Sequence, residues 1–299
     1  MIPQVKGIHL EPTNICTLKC PGCGRTRFID TWPAHWRNHS LDKKVLLKFL
    51  DIDLSGINVE LCGNYGDPIY HPDLVGLIHE LKKQGAVISI VTNGGHRKRS
   101  WWQELVNELS SDDLVTFSID GIPENFTQYR INGDWPTTQD AIEVCVKASC
   151  TTQWKFIPFH FNENNIEQAR QLSQHLGIDK FHISHSDRFD EQTMHFKPYE
   201  SNLGPKWSNQ QNWKQSQSIK KINPKCYNGG SHYISAQGYY MPCCFIGDHR
   251  FYYKTEFGKN RKQYSIQDTT LSKILSETQV VSFYDTLTNQ MVCQYTCGE

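Results

Sequence analysis

Short apolar runs alternate along the chain with segments of helical period, and that alternation predicts the architecture. Six runs read as strands: residues 7–13, 57–62, 87–92, 114–119, 154–161 and 180–186. Between them, residues 41–50 put Leu41, Val45, Leu46, Phe49 and Leu50 on one helical face, and residues 73–84 do the same with Leu74, Leu77, Ile78 and Leu81. The second of these stops at Gly85, because glycine tolerates the left-handed conformation that commonly ends a helix. Further helices are expected over 137–148 and 163–176, the latter closed by Gly177. Strands that alternate with helices imply right-handed βαβ crossovers and a parallel sheet. Six such units predict an α/β fold, a partial (β/α)6 barrel whose site lies at the C-terminal strand ends.

Polar, glycine-rich segments follow these strands. The first strand runs into Glu11-Pro12-Thr13-Asn14-Ile15-Cys16, where Cys16, Cys20 and Cys23 have the spacing C-x3-C-x2-C. The second delivers Gly63-Asn64-Tyr65-Gly66-Asp67-Pro68 and then His71-Pro72-Asp73; the third ends in Thr92-Asn93-Gly94-Gly95 and the fourth in Ser118-Ile119-Asp120-Gly121. Glycine lets a ligand approach the backbone closely, although the same residue types dominate ordinary turns. Three thiolates so close together can wrap one iron–sulfur cube and leave its fourth iron open to a small molecule. The alternative is a zinc knuckle completed by His9 or Cys62.

Composition narrows the class. Lys plus Arg equals Asp plus Glu at 31 each, so no global field draws the chain to nucleic acid or membrane. No apolar run approaches a membrane span, and residues 1–10 lack a signal-peptide pattern. Eleven cysteines in a chain of 299 residues without an export signal read as metal ligands in a reducing compartment, so a cytoplasmic location is expected.

With the cysteine triad and the ordered strand-end motifs in view, residues 7 to about 187 resemble the radical S-adenosylmethionine (radical SAM) enzymes. The resemblance implies that Cys16, Cys20 and Cys23 hold a [4Fe–4S] cluster whose open iron chelates the amino and carboxylate groups of S-adenosylmethionine. One electron then cleaves the sulfonium to methionine and a 5′-deoxyadenosyl radical, which takes a hydrogen atom from the substrate. Gly66-Asp67-Pro68 looks like the segment that accepts the methionine amino group, with Asp67 where Glu is commoner. Asn93 and Ser118 resemble strand-end contacts to the methionine and ribose portions. Arg130 is similar in placement to an arginine that pairs the methionine carboxylate, a task suited to its fork of donors. The chain departs from the family at Gly22, where an aromatic residue usually faces the adenine. Adenine packing is then expected from Phe156 or Ile157.

The C-terminal part carries a second constellation: Cys226, then Cys243 with adjacent Cys244, and finally Cys293 and Cys297 in C-x3-C. Residues 234–242 read as a β-hairpin with Gln237-Gly238 at the turn. A hairpin flanked by cysteines resembles the twitch domain, a shorter relative of the SPASM domain, which houses one auxiliary iron–sulfur cluster. The expected ligands are Cys226, Cys243, Cys293 and Cys297, with Cys244 pointing the other way along a strand. A structural zinc site uses the same donors and stays open as an alternative. Cys62, Cys145 and Cys150 are expected to be buried small hydrophobes.

The domains expected are a radical SAM partial barrel over 1–187, a linker or cap over 188–225 and a twitch/SPASM-like domain over 226–299. The linker has seven basic and three acidic residues, and Pro198, Pro205 and Pro224 punctuate it. Trp207 and Trp213 suggest that part of it packs down. Basic residues interleave with aromatics at 96–102 and 250–262, where solvated faces are the plainer expectation. His160, His182 and His185 are read as rim or core histidines. Only six residues precede the first strand, so an N-terminal leader-binding domain is not expected. The leading expectation is an oxidoreductase that dehydrogenates or cross-links a small metabolite or peptide side chain. Its auxiliary [4Fe–4S] cluster would accept an electron, and a flavodoxin or ferredoxin would supply the reductant. Modification of RNA, or a non-catalytic iron–sulfur or zinc protein, are the other readings, with nucleic acid and membrane not expected as partners.

Overall fold

The computed structural model describes residues 4–186, 188–200, 203, 222–248 and 251–297. Pro205, Trp207 and Trp213 of the expected linker, and Arg250 of the second basic stretch, lie outside the described residues.

Eight strands form one sheet in the order β6-β5-β4-β3-β2-β1-β7-β8. They are β1 (Gly7–Leu10), β2 (Asn58–Leu61), β3 (Val87–Thr92), β4 (Leu114–Ser118), β5 (Thr151–Phe156), β6 (Lys180–Ile183), β7 (Ser231–Ile234) and β8 (Tyr240–Met241). Every neighbouring pair is parallel except the β7–β8 hairpin. The helices of the six-unit part are α1 (Gly24–Thr31), α2 (Lys43–Phe49), α3 (Leu74–Lys83), α4 (Arg99–Asn107), α5 (Trp135–Cys145) and α6 (Ile166–His175). This is the mostly parallel α/β sheet that the alternation predicts.

One face of the sheet is apolar and covered. Ile8, Leu10, Val59, Leu61, Ile88, Ile90, Val115, Phe117, Trp154 and Phe156 are buried there. Against them pack Leu46 and Phe49 of α2, the Leu74, Leu77, Ile78 and Leu81 stripe of α3, Trp102 and Leu105 of α4, and Ala141 and Ile142 of α5. The alternate positions, among them His9, Glu60, Ser118 and Lys155, are only half-buried. Side chains alternate across a strand, so these define the opposite, polar face.

Local chemistry explains where helices begin and end. Asp42 caps α2 through the Val45 N–H at 3.0 Å, and Asp134 caps α5 through the Thr137 N–H at 2.9 Å. Gly85 and Gly177, with φ of +79° and +82°, close α3 and α6 as their sequence positions predict.

Several boundaries differ from expectation. β1 ends at Leu10 rather than residue 13, because Pro12 has no N–H to continue the ladder. β5 covers Thr151–Phe156 rather than 154–161. Pro158 interrupts the run, and the Phe159 N–H turns back to the Asn162 side chain at 2.7 Å. Phe159 and Phe161 instead join Tyr129, Phe189 and Phe196 in a separate aromatic cluster. The helix expected over 163–176 is a 3-10 turn (Glu163–Asn165) followed by α6. Helices α1 and α4 are additional elements; Trp101 and Trp102, read as part of a basic-aromatic stretch, lie on α4.

The expected hairpin forms, with Gly238 at φ +79° in its turn. It does not stand apart: β7 extends the sheet, pairing Gly7 with Ser231 through Leu10 with Ile234. The short α7 (Lys225–Gly229) precedes the hairpin, and beyond it run α8 (Glu256–Lys259), α9 (Leu271–Leu275), α10 (Thr278–Asp285) and α11 (Met291–Cys297). No helix among the described residues is long and apolar enough to cross a membrane.

Glu11 joins the two parts. It has no exposed surface. Oε1 accepts the Tyr65 and Gly66 N–H groups at 2.7 and 3.0 Å, and Oε2 accepts the Tyr233 hydroxyl at 2.7 Å and the Ala236 N–H at 3.4 Å. Removing it leaves buried donors unmet. Glu11→Ala is therefore expected to lower stability by about 3 kcal/mol or more, read from chemical denaturation. A loss under about 1 kcal/mol would show that these donors find other partners.

Candidate functional site

The loop from β1 to α1 carries the first three cysteines, and neighbouring segments hold it in place. Thr13 bridges to Ser40, and Asn14 both donates to the Arg37 carbonyl at 2.8 Å and accepts the His39 N–H at 2.7 Å. The Cys23 N–H closes a turn onto the Cys20 carbonyl at 3.0 Å, and Cys23 then opens α1. All three thiols are half-buried and unpaired. Burial, with further repulsion from nearby negative groups, pushes Cys16 and Cys20 up to about 12. Cys16 feels Cys23, and Cys20 feels both Cys16 and Cys23.

A cleft opens beside this loop at the C-terminal strand ends, holding about 360 Å³ of empty space that includes open solvent. Asn93 from the end of β3, Ser118 from β4 and Arg130 line it together with Thr17, Tyr70 and His96. Three of the residues expected from sequence are thus brought to one place. Asn93 points its amide nitrogen at the Cys16 sulfur, 3.7 Å away. Arg130 directs Nε and one Nη to the same Asp120 oxygen, each at 2.8 Å. Burial would lower the Arg130 pKa, but Asp120 and the Cys20 thiol beside it hold it above the ordinary range. Burial raises Asp120 against that opposing charge.

Gly66, Asp67 and Pro68 sit behind the cleft rather than in its lining. A Cβ on Gly66 would lie 1.9 Å from the Thr13 carbonyl oxygen, so glycine is what lets this loop lie against the cysteine segment. The Asp67 carboxylate is buried and already has three protein donors: the Thr92 hydroxyl at 2.8 Å, the Asn93 N–H at 2.6 Å and the Ile69 N–H at 3.2 Å. Burial pushes it up to about 6 despite them. Its geometry is that of a brace between the loop and the end of β3. Pro68 opens a 3-10 turn that delivers Tyr70 to the cleft.

Tyr70 was not singled out by sequence, and His96 only as the first residue of the basic-aromatic stretch at 96–102. Their rings stack with centroids 4.4 Å apart, and the Tyr70 hydroxyl bonds the Thr17 hydroxyl at 2.5 Å. His96 has φ +76°, a left-handed conformation that non-glycine residues seldom adopt. A histidine next to Gly94-Gly95 is the signal that was available.

The space beside Gly22 is filled from elsewhere. A Cβ there would meet the Tyr129 hydroxyl at 2.5 Å. Phe156 does not face the cleft, because it is fully buried on the apolar side of the sheet. Ile157 is half-buried and packs on the aromatic cluster around Tyr129 and Phe159.

The C-terminal thiols also converge. Cys226, Cys243, Cys293 and Cys297 are buried, and Cys244 is half-buried. Cys226 and Cys243 are within hydrogen-bonding reach, and Cys293 feels both Cys226 and Cys297. Cys293 and Cys297 are four residues apart on α11, hence on one helical face. β8 ends at Met241, so Cys244 lies in a turn rather than on a strand, and its carbonyl accepts from the Asn64 side chain at 2.9 Å. Cys145 and Cys150 are buried as expected; Cys62 is not, being half-buried on the polar face.

Among the described residues, no three sulfurs of either cysteine set lie within 4.8 Å of one another. The buried Nε of Arg25 and the Thr26 hydroxyl, next to Cys23 in sequence, have no protein partner. Arg25 is also close enough to Cys16 to favour its thiolate. A basic donor left free beside three thiols fits an anionic inorganic group.

The basic stretch at 96–102 is largely engaged. Arg97 bonds the Ile69 and His71 carbonyls and lies 4.7 Å over the Trp101 ring, while Arg99 pairs with Asp140 and Glu143.

Comparison with known proteins follows this geometry. Residues 10–176, more than half of the chain, match the family described as the radical SAM superfamily. The chain is 32% identical over 123 residues to the tungsten-containing aldehyde ferredoxin oxidoreductase cofactor-modifying protein of Pyrococcus furiosus, covering 40% of this chain and 32% of that protein. It is 25% identical over 178 residues to the pre-heme d1 synthase of Dinoroseobacter shibae, covering 58% of this chain and 41% of that one. The chain therefore spans only about a third to two fifths of these relatives' lengths. In fold it is similar to Streptococcus suis SuiB bound to the precursor peptide SuiA (TM-score 0.63, 12% identity, 94% of this chain and 67% of that one). It is also similar to anSMEcpe with bound AdoMet (TM-score 0.61, 14% identity, 97% and 89%).

The Gly66 contact gives a direct test. Gly66→Ala is expected to displace the loop of residues 63–68 and so disturb Asn93 through Asp67. The reading is a loss of S-adenosylmethionine affinity of about tenfold or more, roughly 1.4 kcal/mol, by calorimetry on folded variant. Unchanged affinity would show that the loop does not shape the cleft.

Proposed function

This chain belongs to the radical SAM superfamily, and from that membership we propose that it uses a 5′-deoxyadenosyl radical to oxidise or couple the side chain of a peptide or a small metabolite. The observation that carries the reading is the convergence of Asn93, Ser118 and Arg130 on one cleft beside Cys16, Cys20 and Cys23. In this reading the three thiolates hold a [4Fe–4S] cluster with one open iron. When bound, that cluster and S-adenosylmethionine supply reductive cleavage to methionine and the radical.

The chain's own residues bind and orient. Arg130, fixed by Asp120, offers its remaining N–H donors to the methionine carboxylate. Asn93 and Ser118 line the path of the methionine and ribose portions. Asp67 acts through the backbone, holding Asn93 and the Gly66 loop in register. The stacked Tyr70 and His96 offer an aromatic wall, and Tyr129 beside Gly22 offers another. Apolar and aromatic walls exclude water, which keeps a reactive radical from side reactions.

We assign Cys226, Cys243, Cys293 and Cys297 to an auxiliary [4Fe–4S] cluster in a twitch/SPASM-like domain over 226–299. With four thiolates such a cluster has no free iron for substrate, so its use is to accept an electron from the substrate radical. A flavodoxin or ferredoxin would supply the first electron. Peptide substrates are supported by fold neighbours solved with peptides, SuiB and anSMEcpe. A small molecule is supported by BtrN, solved with AdoMet and 2-DOIA at a TM-score of 0.51. The residue 188–225 segment is proposed as the linker or cap.

Two experiments test the assignment. Protein reconstituted anaerobically should hold about eight irons, and replacing Cys16, Cys20 and Cys23 together by Ala should halve that content and abolish 5′-deoxyadenosine release under strong reductant. Release that survives the triple substitution would refute the first site. Cys297→Ala should lose the second cluster while still forming 5′-deoxyadenosine, yet fail to release oxidised product from a competent substrate. Retention of all the iron would move the fourth ligand to Cys244 or elsewhere.

A further inference from the structure

A third group of metal-ligating side chains lies outside both cysteine sets. His9 on β1 and Glu60 on β2 are direct partners in the parallel ladder. Cys62 stands two residues beyond Glu60 and continues the pairing, its N–H bonded to the Leu10 carbonyl at 3.1 Å. The two-residue period therefore puts all three on the same side of the sheet. It is the polar side, opposite the buried Ile8, Leu10, Val59 and Leu61. One ligand atom from each of the three lies within 4.8 Å of the other two, and all three residues are half-buried.

The surroundings are those of a ligand set rather than of a chance meeting. His9 Nε2 is 2.9 Å from the Cys62 carbonyl oxygen. A carbonyl only accepts, so Nε2 carries a proton toward it, and metal-bound histidines usually donate one ring N–H in this way while the other nitrogen takes the metal. The Tyr233 ring packs edge-on at 5.0 Å and holds the imidazole plane.

We propose that His9, Glu60 and Cys62 form a mononuclear transition-metal site of the zinc class, with one coordination position open toward the polar face of the sheet. Imidazole nitrogen, carboxylate oxygen and thiolate sulfur together suit a borderline-soft divalent ion. Three protein ligands leave the fourth position to water or to a donor atom of the substrate, the arrangement of zinc sites that act on ligands. The ion would orient a substrate amine, thiolate or carboxylate from the floor of the sheet. This inference does not depend on the reading of the cysteine sets as clusters.

The test uses the full chain with its iron sites reconstituted anaerobically, stripped of loose metal, given Zn²⁺ alone and desalted. Zinc and iron per chain are measured, with X-ray absorption at the zinc edge. The expected result is one zinc with a single sulfur neighbour at about 2.3 Å and otherwise nitrogen or oxygen. Cys62→Ser and the near-isosteric Glu60→Gln should each weaken zinc binding by about tenfold or more, with iron content and melting midpoint unchanged. His9→Ala should abolish it; if that variant does not fold, Glu60→Gln decides. The proposal falls if no zinc is retained, or if the variants keep it equally. It falls also if zinc has three or four sulfur neighbours, which would place it in the cysteine sets.

Discussion

Glu11 is the carboxylate on which the arrangement of both halves depends. It follows β1, directly before Pro12 and the cysteine segment, and it has no exposed surface. One oxygen gathers the N–H groups of Tyr65 and Gly66, which fixes the loop after β2. The other takes the Tyr233 hydroxyl and the Ala236 N–H, which fixes β7 and the hairpin turn. A buried carboxylate costs heavily unless hydrogen bonds replace its hydration. Here the replacements come from two remote segments, so the charge is tolerable only when both are docked. The Gly66 loop and the C-terminal hairpin are thereby tied to one carboxylate at the head of the cysteine loop.

From that anchor the rest of the site follows by short connections. Gly66 lies on the Thr13 carbonyl. Asp67, next in sequence, reaches across to the Asn93 N–H and the Thr92 hydroxyl. Asn93 in turn reaches Cys16. Strand ends β1, β2 and β3 are thus coupled through polar bonds rather than through packing alone. On β4 and β5 a second buried carboxylate repeats the device, since Asp120 holds Arg130 through one oxygen and the Ile157 N–H through the other. Positions fixed by such bonds can hold a bound molecule without rearranging, which is the requirement of a preorganised site.

Much of this was legible in the sequence because it is local. Apolar period marks α2 and α3, Gly85 and Gly177 mark helix ends, and the family resemblance, carried by the cysteine spacing and the strand-end motifs, points to Asn93, Ser118 and Arg130. What was not legible depends on contacts distant along the chain. The parallel pairing of residues 7–10 with 231–234 has no connecting turn to announce it. Phe159 and Phe161 continue the β5 pattern by composition, and only Pro158 reveals that the backbone leaves the sheet. Asp67 reads as a ligand-facing acid, and its carboxylate also takes the Thr92 hydroxyl at the end of β3, the Asn93 N–H just beyond it and the Ile69 N–H of its own turn. Cys62 reads as a core cysteine, but its face is set by the register with β1, which places it beside His9. The stacking of Tyr70 on His96 escaped notice because it joins two different loops.

Charge balance explains why the first cysteine set and its cleft belong together. Cys16, Cys20 and Cys23 lie close enough for their charges to repel, and Asp67 and Asp120 add negative charge nearby. Against these stand Arg25 and Arg130. Burial and repulsion keep the Cys16 and Cys20 thiols protonated far above neutral pH, up to about 12. The loop can therefore fold with neutral thiols and without unpaired buried charge. In the proposed cluster reading a metal would take the place of those protons, so loading and proton release would be one equilibrium. Arg25 and Arg130 would then meet a thiolate charge that the neutral thiols do not present.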